Sequence, residues 1–469
     1  MLTQIYTQLP NILWQKIVPA QFAKPSLFLF NQTRWQQSFS HNIEFENNKL
    51  AMLSGQSAVL EDTSIALGYC AHQFGHFVPQ LGDGRAHMLG QLTDANNVLY
   101  DIQLKGSGRT TYSRGGDGLC ALKPALREYI VSHIMQSLGV PSCLSLSVVR
   151  YQGDVMRNSL EPGAIVSRIA KSHIRIGSFQ YAAQFNDNNY HTLRQLADFT
   201  IEQLYPECKQ TANPYLTLFE KVQSVLIDTL IHWLRVGFIH GVMNTDNILL
   251  SGETIDYGPC AWVGAYSKSK VFSSIDKNGR YAFGNQVNIM HWNLARLAEA
   301  LIPIIDSNEQ QAIDALTLVL NQFPSIFKSR YHTMMCNKLG LDEAHPNAAV
   351  LVSDFLNLLE TNQLDYQQSF SQIKSAYESC NVNASFDAWL TSAENARSAN
   401  AISNMKNVNP VANITNFDIE RLLEEVSNDN TSILNEYFTQ CLLHGSTETS
   451  QFGSPNAAFD NSYRTFCGT

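Results

Sequence analysis

The chain has 469 residues, a formal net charge of −9 and a pI near 5.8. Hydrophobic residues make up 44% and charged residues 16%, against a usual charged share of about 25%; this excludes wholesale disorder and allows a large core. The acidic balance speaks against a dedicated nucleic-acid binder, whose footprint is a basic patch. No run approaches the roughly 18 apolar residues of a membrane span. At roughly 100–200 residues per domain, the length suggests two or three domains or one bilobal enzyme with an appendage.

The amino terminus, MLTQIYTQLPNILWQK, has no basic stretch leading into an apolar core, so a secretory leader is not expected. Nine cysteines are scattered from Cys70 to Cys467 without a CxxC pair, which fits a reduced cytosol better than a disulfide framework or a zinc ribbon. The expected class is a soluble cytoplasmic protein with neither nucleic acid nor membrane as a partner.

The first 50 or so residues are rich in aromatics and Gln and show few periods. They are expected to form an N-terminal extension. Residues 51–160 read as a sheet-rich lobe. Within it Val98, Tyr100, Ile102 and Leu104 alternate with Leu99, Asp101, Gln103 and Lys105, a period-2 strand that places Lys105 on its more polar face. Pro124 opens a helix in which Leu126, Ile130, Ile134 and Leu138 recur every four residues, and Gly139 supplies its stop. The periodicity then turns helical, with a seam near residues 150–165. Leu218, Val222, Leu226, Leu230 and Trp233 form a stripe ending at Gly237, and Ser251-Gly252 reads as a two-residue hairpin between Ile248–Leu250 and Glu253–Ile255. Helices are expected at Asn293–Leu301, Ala349–Glu360 and Ile419–Val426, within a helical lobe and extension covering 161–443. The Ser/Gly/Asn-rich stretch 444–469, with Cys467, reads as a poorly ordered tail. The resulting class is a two-lobed α+β protein.

Five segments carry residues suited to chemistry. Gly82-Asp83-Gly84-Arg85 offers backbone N–H groups and a guanidinium to an anion, or is a plain β-turn. Lys105 closes its strand before Gly106-Ser107-Gly108 and can neutralise a phosphate, or is simply solvated. Arg114-Gly115-Gly116-Asp117-Gly118 is a second loop able to lie against a nucleotide, or a surface turn. Glu128, 23 residues after Lys105, is a candidate ion-pair partner for it, although the leucine stripe leaves its facing open. Arg168, Lys171, His173 and Arg175 fall within eight residues; they read as an anion site or as an ordinary cationic surface.

The strongest local signal is His240-Gly-Val-Met-Asn-Thr-Asp246-Asn247, followed by Asp256-Tyr257-Gly258. Asn247 and Asp256 suit Mg²⁺, a hard cation that takes oxygen ligands alongside substrate phosphates. The order is similar to a protein-kinase catalytic loop and its metal-binding segment. The position of the kinase base is here Val242, which cannot accept a proton; Asp246, directly before Asn247, is the only nearby carboxylate in this loop, and the alternative is that the aspartates simply cap turns. Cys467 reads as a redox-accessible thiol or as an inert tail residue.

Taken in order, LGYCAHQFGHFVPQLGDGRAHMLGQL, DIQLKGSGRTTYSRGGDGLCALKPALREYI, VSRIAKSHIRIGSFQ and HGVMNTDNILLSGETIDYGP resemble the selenoprotein O family of kinase-like protein adenylyltransferases. The resemblance is dense over residues 65–262 and looser beyond. It implies a bilobal protein-kinase-like fold that binds ATP in reversed orientation and transfers AMP to Ser, Thr or Tyr hydroxyls of target proteins. It implies nucleotide binding by Gly82, Gly84, Arg85, Lys105, Asp117, Gly118, Arg168 and Arg175, with Glu128 as the partner of Lys105. Asp246 is then the proton acceptor, and Asn247 and Asp256 the ligands of Mg²⁺ (or Mn²⁺). Redox proteins are the implied targets. The family's carboxyl-terminal selenocysteine or cysteine is similar to Cys467, but Ala261 to Ala300 contains no cysteine to pair with it and only Cys260 is close. A conventional kinase and a catalytically inactive ATP-binding scaffold are the competing readings.

Overall fold

A computed structural model describes residues 2–379, 384–443 and 451–466. Strands and short helices dominate the first 170 residues, and long helices follow. The strands are β1 (Trp14–Lys16), β2 (Ser26–Phe30), β3 (Ile65–Leu67), β4 (Ala71–Gln73), β5 (His76–Val78), β6 (Ala86–Thr93), β7 (Leu99–Lys105), β8 (Cys120–Ala121), β9 (Leu144–Met156), β10 (Leu160–Ala170), β11 (Phe238–Ile239) and β12 (Ala261–Trp262). The main sheet runs β1-β3-β6-β7-β10-β9-β2, with β8 beside β10. Its pairs are antiparallel, so this half is a kinase-like sheet lobe. The first 50 residues, expected as an extension, contribute β1 and β2 to this sheet. β10 carries the sheet to Ala170, past the seam expected at 150–165.

Both faces of the sheet are covered. One packs Leu89, Ile102, Leu104, Leu146 and Ile165 against Trp35, Phe39, Phe45 and Leu53. The other receives the helix Leu122–Ser137 through Leu126, Ile130 and Ile134, which meet Val148 and Val166. Pro124 sits in the first turn of that helix, where no intrahelical N–H bond is lost. Gly139 follows the helix at φ +67°, a left-handed conformation that glycine adopts without a Cβ clash.

The polar face of β7 differs from its expectation: it is internal. Asp101 accepts hydrogen bonds from the Tyr6 hydroxyl at 2.6 Å, Gln91 at 2.8 Å and the His173 backbone N–H at 2.8 Å. Gln103 donates to Asp83 at 3.0 Å. Alternation revealed the two faces correctly, but burial of both is decided by the helix and loops that cover them.

The helical half is built on Pro214–Arg235, Gln286–Ile305, Phe323–Leu339, Ala348–Thr361 and Asn416–Ser427, which contain the expected helices. The expected hairpin at Ser251-Gly252 is reduced to one bridge between Ile248 and Thr254. Leu249 bridges Arg175 instead, and Thr254 bridges Ser142, so neighbouring segments compete for the same backbone groups. Residues 451–466, expected within a poorly ordered tail, lie against the helical half. Asp460 accepts from Asn416 at 2.9 Å, and Thr465 donates through its hydroxyl to the Pro259 carbonyl at 2.7 Å. Cys467 lies outside the described residues. No helix among them is long and apolar enough to cross a membrane.

Candidate active site

Four buried or half-buried charges meet where the two halves face each other. Lys105, at the end of β7, donates to Glu128 at 2.5 Å and to Asp256 at 2.7 Å. Arg168 reaches the same two carboxylates from β10, at 2.9 Å and 2.5 Å. Register explains this meeting: Arg168 stands opposite Gln103 and Val166 opposite Lys105 in the β7–β10 ladder, and Glu128 projects from the helix that crosses that face. Two cations and two anions leave the group neutral overall. Burial alone would raise the Glu128 carboxyl; Arg168 and Lys105 hold it below its usual value. The same two cations outweigh burial at Asp256 and hold it well below the usual carboxylate range. Asp256 has φ +64°, an uncommon conformation for a non-glycine residue that turns its carboxylate back toward the sheet lobe.

Arg175 is buried one segment away. Its guanidinium donates to the Asp246 carbonyl at 3.0 Å and to Asp83 at 3.4 Å, and it lies 4.3 Å over the Tyr69 ring. Neither Arg168 nor Arg175, at 4% and 3% exposed, belongs to a cationic surface. Asp83, which the sequence reading passed over, also accepts from the Leu67 N–H and from Gln103, so it ties the loop to β3, β7 and Arg175 together. A Cβ at Gly82, where φ is +132°, would lie 2.4 Å from the Tyr112 ring, and one at Gly118 would lie 2.2 Å from the Gly108 backbone. Gly82 is required because the loop after β7 folds down onto it, and Gly118 because that loop closes on itself at Gly108.

Asp117 is held by Arg157 at 2.7 Å, and that hydrogen bond lowers its carboxyl. Arg157 sits in the β9–β10 turn, 40 residues away. No local pattern connects the two.

A cavity of about 270 Å³ is lined by Gly82, Gly84, Asp117, Gly118, Arg157, Arg168 and Arg175. A second, of about 410 Å³, is lined by Gln73, Val242, Asp246 and Asn247. Arg85, Lys105 and Asp256 line both, so the cavities meet at those side chains. All the site residues expected from sequence line the first cavity or the second; Glu128 lines the second and anchors the charges at the junction.

The loop of the second cavity is held by its backbone and by the β4–β5 hairpin. His240 donates through Nε2 to the Ile255 carbonyl, 3.0 Å away; burial lowers it to about 4, so it is neutral. Thr245 accepts from the His72 N–H at 2.8 Å and Asn244 from the Phe74 N–H at 3.0 Å. Asn247 donates to the Val242 carbonyl at 3.0 Å, leaving its amide oxygen for other use. Asp246 has one long contact, 3.4 Å from Gln73, and its buried Oδ1 has no hydrogen-bond partner. Burial pushes its carboxyl up to about 6 against the opposing pull of Arg175. Val242 is apolar and 4% exposed.

A sheet lobe over a helical lobe, with a lysine–glutamate pair and an Asn/Asp loop at the seam, defines a kinase-like nucleotide-dependent transferase. The model of the family described as protein adenylyltransferase SelO matches residues 2–442. The chain belongs to that family. Among curated proteins it is 43% identical over 455 residues to Protein nucleotidyltransferase YdiU of Pseudoalteromonas translucida, covering 96% of each chain. It is 43% identical to the Mycolicibacterium smegmatis protein of that name, over 90% of this chain and 88% of the other, and 39% identical to that of Geobacillus kaustophilus, over 99% and 98%. The activity of the family is protein nucleotidyl transfer.

Proposed function

We propose that the chain moves AMP from ATP to Ser, Thr or Tyr hydroxyls of other proteins, with the nucleotide reversed relative to a kinase and pyrophosphate released. The observation that carries this reading is Asp246: it is the loop carboxylate with an unpartnered buried oxygen, and it opens on the cavity that shares Lys105 and Asp256 with the arginine-lined one. A carboxylate raised to about 6 is suited to accept a proton near neutral pH. The acceptor oxygen bonds to the α-phosphorus, the bond to the bridging oxygen of the β-phosphate breaks, and the hydroxyl proton passes to Asp246. Arg85, Lys105, Arg168 and Arg175 oppose the charge of the triphosphate, and Asp117 and Gly118 close the loop over the nucleotide.

Asn247 and Asp256 supply oxygen donors on one cavity wall, and Asp256 is the more exposed carboxylate of the charged group, at 26% against 5% for Glu128. Two oxygen donors leave the remaining coordination positions to substrate phosphates and water, which is how Mg²⁺ is commonly held. Bound there, the ion would neutralise phosphate charge. Transfer should continue with β,γ-methylene ATP, whose α–β bridge is intact oxygen, and stop with α,β-methylene ATP. The opposite pattern would mean γ-phosphoryl transfer.

A further inference from the structure

A larger cavity, about 760 Å³, lies in the helical half, away from the charged seam. Its size falls within the roughly 300–1,000 Å³ of small-molecule sites. Tyr266, Phe283, Phe327 and Tyr331 form its walls, with Val352 and Leu356. Phe327 and Tyr331 stack along the helix Phe323–Leu339 with ring centroids 5.5 Å apart. Two exposed lysines, Lys268 and Lys328, stand on its lining, and neither is in an ion pair among the described residues. The closest carboxylate in the bonding pattern, Glu360, is engaged by the Ser267 hydroxyl and the Lys268 backbone N–H, both at 3.0 Å. Glu360 keeps its charge beside Lys268, while Lys328 has no such neighbour in the bonding pattern among the described residues; an apolar-walled cavity with these two exposed lysines on its lining is complementary to a ligand that carries an anionic end on an apolar body.

The segment that forms one wall also reaches the catalytic loop. Gly284 donates to the Lys268 carbonyl at 2.8 Å and Phe283 to that of Lys270 at 3.1 Å, which closes residues 268–284 into a loop with its neck on the cavity. The body of the loop carries Ser274 and Ile275, which line the Asp246 cavity. Tyr281, two residues from the cavity-lining Phe283, donates its hydroxyl to Asn244 at 2.5 Å. Asn244 is the residue that also receives the Phe74 N–H and that begins the turn bearing Asp246. Tyr266 and Phe283 on the cavity wall and Tyr281 on Asn244 thus belong to one segment, and coupling requires that a ligand at the wall contact it differently in two arrangements.

We propose that this cavity is an effector site for a small hydrophobic carboxylate, and that its occupancy is transmitted to the catalytic loop through residues 266–284 and the Tyr281–Asn244 hydrogen bond. The site itself stands on geometry alone; only the coupling rests on the proposed transfer reaction. The probe is 1-naphthylacetate, titrated calorimetrically into the full chain, with 1-naphthylethanol as the uncharged comparison. One-site saturable binding is expected, at least about tenfold tighter for the acid. Lys268→Ala/Lys328→Ala should remove that preference. Ala349→Trp and Ser353→Trp, at exposed lining positions, should each weaken binding by about tenfold or more without disturbing the buried core. At saturation the acid should change the rate of AMP transfer in the unsubstituted chain and leave it unchanged in Tyr281→Phe. No saturable binding, equal binding of acid and alcohol, or binding indifferent to both tryptophans would overturn the site. Binding without any effect on rate, or the same effect in Tyr281→Phe, would overturn the coupling. Calorimetry needs no turnover, so a failed site is distinguishable from a chain that does not transfer AMP.

Discussion

Glu128→Gln tests the charged group at the seam most sharply. The carboxylate takes Lys105 at 2.5 Å and Arg168 at 2.9 Å, and it is 4% exposed. Neutralising it leaves two cations facing Asp256 alone, a buried excess of one positive charge. Removing one partner of a buried pair costs about 3–5 kcal/mol; the amide oxygen of Gln still accepts one N–H, which places the expected loss near the lower end, about 3 kcal/mol. Lys105→Met alone leaves the opposite imbalance and costs a similar amount. The double variant removes one charge of each sign and restores neutrality. Its loss should therefore fall short of the sum of the singles by about 2 kcal/mol. Urea unfolding at pH 7, followed by tryptophan fluorescence and by far-UV circular dichroism, measures all three variants against the parent. Strict additivity would refute the argument, because it would mean that the two side chains do not share one buried charge balance.

Asp246→Asn should lower kcat by about 10²–10⁴-fold with ATP affinity little changed. In the parent, kcat/KM should fall as pH drops through about 6, where the buried Asp246 carboxyl becomes protonated; a rate flat from pH 5 to 8 would contradict it. Gly82→Ala places a methyl group 2.4 Å from the Tyr112 ring at φ +132°, so the loop must shift. It should weaken ATP binding measured by calorimetry, with a stability loss of about 1–3 kcal/mol. Burial raises Glu253 from 4.5 to about 7, so between those values the folded chain binds more protons than the unfolded one and stability falls as pH rises. That shift converts to about 3 kcal/mol at most. Glu253→Gln, which can still accept the Lys171 N–H seen at 2.8 Å, should flatten this slope and be the more stable protein at pH 8. Urea midpoints at pH 5 and pH 8 measure it.

The parts of the site that were legible in sequence are those whose neighbours in the chain are also neighbours in function. The His240–Asn247 loop and Asp256–Gly258 are compact segments, and the structure puts them on one cavity. Lys105 and Glu128 were legible as a pair only as a suggestion, since helix facing is not fixed by a leucine stripe; the β7–β10 register and the crossing helix decide it. Asp83, Arg157 and Gln73 escaped notice for a physical reason. Each acts through partners far along the chain: Arg175 for Asp83, Asp117 for Arg157, Asp246 for Gln73. An aspartate between two glycines reads as a turn residue until the strands it bonds are known to lie beside it. Composition misled in the same way at residues 451–466. Ser, Gly and Asn there suggested disorder, yet Asp460 and Thr465 find buried partners at Asn416 and Pro259.

The central claim is that the α-phosphate, not the γ-phosphate, is the group transferred. Incubating the chain and a mixed protein substrate with Mg²⁺ and ATP labelled at either position tests it directly, with Asp256→Ala as the control. Label from the α position alone, absent in the control, is the predicted result. Label from the γ position alone would contradict the account and make Val242 no obstacle to kinase chemistry; no label from either position, with ATP still bound, would leave an ATP-binding scaffold.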